Sequence, residues 1–233
     1  MITNFLRDTN TSTKDFVEKL VESEDVKHVG GFSLACGQIG EPMAIVSNRV
    51  STADGITWIA GQRGQTIALS NTAYGDRSWP KVVKGEESLT KALKESYEKA
   101  EEEGALVERL LELLSSDDLP RLPGCSDGGL ETYVNEMRKT IFVPVVGGEG
   151  TNGKTAEEVR AAEDEDKVEV AETSGNAKQT LGLSGPYGTQ KQTIVLVDGN
   201  ARVKFFERTL FDDKAQPIAK GDGDQKFEFD VEE

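Results

Sequence analysis

The most constraining feature of the chain is an apolar run that returns on itself through a very short turn. Residues 193–198 read as a strand, Asp198-Gly199-Asn200 as the turn, and residues 202–210 as the returning strand. So short a connection closes an antiparallel hairpin. The pattern recurs. Phe32, Leu34 and Cys36 share one face at period two, residues 38–42 turn, and residues 43–47 supply a partner strand. Residues 56–60 and 66–70 form a further hairpin pattern around Gly61-Gln62-Arg63-Gly64, and Phe227, Phe229 and Val231 alternate in a last strand. Residues 2–7 are a short apolar stretch that reads as a strand, and residues 140–146 resume strand character, with Pro144 marking an edge or bulge.

Helical spacing lies between these hairpins. Residues 14–24 place Phe16, Val17, Leu20 and Val21 on one side, residues 88–103 carry Leu89, Leu93 and Tyr97, and residues 105–114 carry Leu106, Leu110, Leu113 and Leu114. Residues 119–129 form a Pro/Gly-rich loop containing Cys125. Hairpins flanking a central helical pair predict a layered α+β fold.

One stretch is foreign to that pattern. Between residues 147 and 180 there are nine acidic and four basic side chains, no aromatic and few aliphatics. Burial there cannot offset the entropy of ordering, so residues 147–184 are expected to be a disordered acidic insert in a single domain spanning 1–233.

Charge and composition exclude several classes. A net charge of −15 and a pI near 4.6 repel phosphates and anionic lipid, which disfavours nucleic acid and anionic membrane surfaces as partners. No apolar run approaches the roughly 18–20 residues of a spanning helix. The first ten residues lack the basic start and apolar core of a signal peptide. Two cysteines make no disulfide framework and favour a reducing compartment. His28, the one histidine, rules out a multi-histidine metal site, so no metal is expected.

Few motifs carry chemistry. Residues 148–155 match the phosphate-cradling Gly-x-x-x-x-Gly-Lys-Thr pattern, and Ile194 to Asp198 mimics the strand and aspartate that hold magnesium. The helix that would follow has only Val159 and alanines to bury, and Asp198-Gly199 reads better as a turn. Cys36 shares a face with Phe32 and Leu34, which points to a core thiol. Cys125 has no nearby imidazole, and His28 reads as a surface residue. Asn10-Thr11-Ser12 is a glycosylation sequon without a secretion signal beside it. Asn4 and Asn71 end apolar runs, where side-chain amides serve as oxyanion donors or, more often, as turn caps.

Several segments in shared order resemble the transport and Golgi organisation protein 2 family, also called the NRDE family. They are Ile2-Thr3-Asn4-Phe5, Gly31-Phe32-Ser33-Leu34, Leu69-Ser70-Asn71 with Ser78-Trp79-Pro80-Lys81-Val82, the run from Tyr187-Gly188-Thr189-Gln190 to Asp198, and Phe205-Phe206-Glu207-Arg208. The resemblance implies an αββα sandwich like that of N-terminal-nucleophile hydrolases. Relatives begin Met-Cys, the cysteine acting as nucleophile with its own α-amine as base, and carry Asn-Arg-Asp-Glu on an early strand. Both are lacking here, so the chain is expected to be incomplete at its N-terminus and non-catalytic.

By the same resemblance, Thr189 and Gln190 are candidates for lining a ligand cleft, with Gln190 standing where many relatives carry arginine. Asn4 and Asn71 would face one shared cleft as amide donors. A role in Golgi organisation and secretion is implied, with handling of haem or acyl lipids. No other cofactor is implied. A small acyl or planar molecule would be the ligand, and the location cytoplasmic, with Golgi or mitochondrial association. Two alternatives stand beside this reading: an amidohydrolase whose cysteine lies upstream, and a nucleotide binder acting through residues 148–155.

Overall fold

The structure, a computed structural model, describes residues 5, 11–23, 31–50, 52–120, 133–146 and 186–231. In chain order its elements are α1 (Thr13–Glu22), β1 (Ser33–Cys36), β2 (Met43–Ser47), a 3-10 turn (Ala53–Gly55) and β3 (Thr57–Ile59). There follow α2 (Pro80–Glu98), α3 (Glu103–Leu114), β4 (Lys191–Val197), β5 (Arg202–Thr209) and β6 (Asp224–Asp230). The strands form two three-stranded antiparallel sheets, ordered β1-β2-β3 and β4-β5-β6. The α+β class is therefore observed. Two compact units divide the chain: residues 1–113, 194–205 and 226–233, and residues 114–193 and 206–225.

In the first unit, α1 starts where Ser12 accepts the Asp15 backbone N–H at 3.1 Å, relieving one orphan donor of the first turn. Its apolar face (Val17, Leu20, Val21) packs with Cys36, Ala44, Val46 and Ile56 into one core. Antiparallel register aligns Leu34 with Val46 and Cys36 with Ala44, which places the alternating residues of β1 on the core face. Phe5 is helical and lies 4.7 Å, ring centre to ring centre, from Phe16. The strand expected over residues 2–7 is corrected at Phe5; the rest of that stretch lies outside the described residues.

A second correction concerns residues 66–70, which form no strand. β3 pairs with β2 instead, Ala44 opposite Trp58. The polar groups of the 66–70 segment go to a helix. Ala68 N–H donates to the Glu86 carboxylate at 3.2 Å, and the Thr66 and Thr90 hydroxyls are 2.7 Å apart.

Helix α2 begins at Pro80, eight residues before the expected start, because proline needs no N–H partner at a first helical position. Its buried ridge is Val82, Ala92 and Ser96, whereas Leu93 and Tyr97 are 41% and 88% exposed. On α3, Arg109 donates to Glu95 at 2.9 Å and through Nε to Glu101 at 3.0 Å, closing the α2–α3 corner with charge-assisted bonds.

The hairpin between β4 and β5 is the one the sequence announces. The Asp198 carboxylate accepts the Asn200 N–H at 2.8 Å and the Arg202 N–H at 3.1 Å. These backbone bonds, that of Arg202 first, hold its carboxyl below the usual range. Asp198 is thus a turn residue, and the magnesium role drops away.

In the second unit, Tyr133, Leu119 and Val143 are buried beside Thr140, which is fully buried. The Thr140 hydroxyl accepts the Asp118 N–H at 2.9 Å and lies 2.6 Å from the Phe142 carbonyl. Residues 140–146 make no strand; their ladder pairing is one bridge, Val146 to Tyr187. Pro144 offers no N–H there, and the Val143 N–H is taken by a side chain, the Thr189 hydroxyl, at 2.9 Å. The expected insert over 147–184 lies outside the described residues.

Candidate ligand pocket

The segment Tyr187-Gly188-Thr189-Gln190 is fixed on both sides within the second unit. Val146 and Tyr187 exchange both backbone bonds, at 2.8 and 2.9 Å, and the Thr189 N–H donates to the Val143 carbonyl at 2.8 Å. Gly188 allows this approach: a Cβ there would sit 3.1 Å from Val145 Cα and 3.2 Å from the Val143 carbonyl oxygen. On the other side, the Gln190 carbonyl accepts the Leu210 N–H at 2.8 Å, and the Gln190 side-chain amide donates to the Phe211 carbonyl at 3.4 Å.

After β5 the chain makes a tight excursion over residues 210–218, bridged between Phe211 and Pro217. Asp212 organises it. One carboxylate oxygen accepts the Lys214 N–H at 2.9 Å and the Gln216 N–H at 2.8 Å. Ala215 takes a left-handed conformation, φ 58°, to complete the turn.

Between the two segments lies a pocket of about 230 Å³. Apolar and aromatic residues Val145, Pro186, Tyr187 and Phe211 line it together with the polar residues Gln190, Asp212 and Asp213. Among the described residues no thiol, imidazole, ammonium or aliphatic hydroxyl lines it. The lining supplies apolar walls and a few polar groups that could orient a small ligand.

Of the residues singled out in the sequence, Gln190 lines this pocket. Thr189 positions it, its hydroxyl spent on the Val143 N–H. Asn71 is exposed on a bend in the first unit. Asn4, His28, Cys125 and residues 148–155 lie outside the described residues. Cys36 is buried in the core, where desolvation pushes its thiol up. Tyr187, Phe211, Asp212 and Asp213 were not foreseen as a site. The signal for them was Phe211-Asp212-Asp213 closing a strand, which is turn chemistry in sequence and a wall in space.

A family model described as Transport and Golgi organisation 2 matches residues 1–212. The chain belongs to that family. The resemblance carried by the Tyr187 to Asp198 run is thereby borne out. The Transport and Golgi organisation 2 match takes in most of the pocket, from Val145 through Gln190 and Phe211 to Asp212, where it ends. Neither a curated protein nor a solved structure matches the chain. Among the described residues no cluster of histidine, cysteine, aspartate and glutamate is arranged to hold a metal ion, and no helix is long and apolar enough to cross a membrane.

Proposed function

We propose that this member of the Transport and Golgi organisation 2 family is a non-catalytic binding protein, serving Golgi organisation and secretion, that takes a small ligand with an acyl or planar part. The observation that carries the reading is the Gln190 pocket. Aromatic and aliphatic walls suit such a ligand, and an amide fixed by the Phe211 carbonyl keeps an N–H and its oxygen for it. The volume decides the size class. Drug-sized ligands occupy roughly 300–1,000 Å³, and about 230 Å³ takes less.

Haem does not suit this pocket. A macrocycle needs more room than about 230 Å³, and its two carboxylates would meet Asp212 and Asp213. No step through haem is derived.

The reading extends to fold and place. The antiparallel sheets and the helices among the described residues support an αββα sandwich of the N-terminal-nucleophile type, and the location we infer is cytoplasmic with Golgi or mitochondrial association. Asn4 and Asn71 remain proposed oxyanion-type donors of that fold.

The test is ligand-observed NMR on the full chain with short N-acyl amides and flat heteroaromatics, beside Gln190→Ala and Tyr187→Ala. Binding that weakens in both variants, with no amide hydrolysed, is expected. Equal binding to wild type and both variants, or turnover of any amide, refutes the proposal.

A further inference from the structure

We infer that the pocket selects small organic cations, an ammonium head with a compact apolar substituent; this rests on reading the pocket as a ligand site. Three observations point the same way. Two rings, Tyr187 and Phe211, line a space that also holds two adjacent carboxylates, Asp212 and Asp213. Aromatic faces attract cations within about 6 Å of the ring centre, and quaternary ammonium groups are recognised in this manner.

The carboxylates are not neutralised from within. One oxygen of Asp212 is held by the Lys214 and Gln216 backbone N–H groups. Among the described residues neither Asp212 nor Asp213 forms an ion pair, and the Lys214 ammonium, next in the chain, forms none with them. The turn thus orients Asp212 without discharging it.

The third observation is the balance of alternatives. Among the described residues no lysine or arginine lines the pocket, so an anion would meet two carboxylates in a chain of net charge −15. A neutral ligand would engage Gln190 but cover the carboxylates without pairing them, which costs binding. A cation pairs with them and faces the rings together.

Three probes of one shape separate these cases: choline, its neutral isostere 3,3-dimethylbutan-1-ol, and the anion 3,3-dimethylbutanoate. Each is titrated against the full chain at low salt by calorimetry or ligand-observed NMR. Choline should bind about tenfold or more tighter than the alcohol, with the anion weakest, as ion pairing and cation–π attraction together allow. Asp213→Asn and Phe211→Leu should each weaken choline about three- to tenfold. Asp213 is exposed, so its variant tests the idea even where Phe211→Leu disturbs the turn.

If the alcohol binds as tightly as choline and Gln190→Ala weakens both, the pocket stands and cation selectivity is overturned. If choline binding ignores Asp213→Asn and Phe211→Leu, the cation sits elsewhere and the inference fails. If none of the three binds while the N-acyl amides or heteroaromatics do, the cation inference is overturned and the pocket reading stands.

Discussion

Gly223→Ala should be among the most damaging one-carbon changes in the second unit, and its cost can be worked from the coordinates. A Cβ on Gly223 would lie 2.3 Å from the Thr209 carbonyl oxygen and 3.2 Å from the Thr209 carbonyl carbon and Cβ. Carbon–oxygen contacts between strands settle at about 3.3–3.6 Å, so the two backbones must separate by about 1 Å. The Thr209 N–H now donates to the Gly223 carbonyl at 3.0 Å, and that shift breaks the bond. Overpacking costs about 1–3 kcal/mol, and an abandoned backbone donor adds about 1–3 kcal/mol. The stiffer unfolded chain returns about 0.4–1 kcal/mol. The net is about 3 kcal/mol, which for a chain of this size lowers Tm by about 6–12 °C. Gly199→Ala is the control. Nothing lies within 4 Å of its would-be Cβ, and its φ is not left-handed, so only the unfolded-state gain remains and Tm should hold or rise slightly. Calorimetric melting of the three proteins reads both. A Gly223→Ala Tm within about 2 °C of wild type, or an equal fall in Gly199→Ala, refutes the packing argument.

Thr189→Val keeps the side chain's shape but deprives the Val143 N–H of its acceptor; we expect a loss of about 1–2 kcal/mol in urea unfolding, and an unchanged midpoint would show that water replaces the hydroxyl. Asp198→Asn tests the turn by acid. Because backbone bonds from Arg202 and Asn200 lower the Asp198 carboxyl in the folded state, its contribution is present above the ordinary carboxylate value of about 3.9 and fades as pH falls through the lower folded value. Below about pH 4, the wild-type Tm should therefore fall more steeply with acid than that of Asp198→Asn; parallel curves would remove Asp198 from the account.

What the sequence made legible was short-range. The turn at Asp198, the α1 face and the alternation of β1 each depend on residues within a few positions of one another, and each matches the structure. The failures were decided from farther away. Residues 66–70 have strand-like composition, but their polar groups are taken by Glu86 and Thr90. Residues 140–146 read as a strand until the Val143 N–H is diverted to Thr189, 46 positions on. For α2, the leucines and tyrosine at helical spacing pointed to one face, whereas smaller residues, Ala92 and Ser96, are the buried ones. Their small side chains left the ridge invisible to a count of large apolar groups.

The pocket follows the same rule. Gln190 entered only through resemblance, because nothing near it in sequence marks a site. Its opposite wall, Phe211 to Asp213, arrives some twenty residues later and is brought there by the pairing of Leu210 with Gln190. Both walls are held by backbone: the Val146–Tyr187 bridge and Thr189 on one side, the Asp212 turn and the Ile218–Leu210 bond on the other. Two consequences follow from that division of labour. Binding orders little that is not already ordered, so a small ligand loses little affinity to entropy. The side chains that choose the ligand, Gln190 and Asp213, are both exposed and, apart from the Gln190 amide on Phe211, outside the bonds that hold the walls. An arginine in place of Gln190 would set a cation beside Asp212 and Asp213. Paired with the two carboxylates, that arginine would cancel part of their charge, so a Gln190→Arg variant should bind choline more weakly than the wild type does.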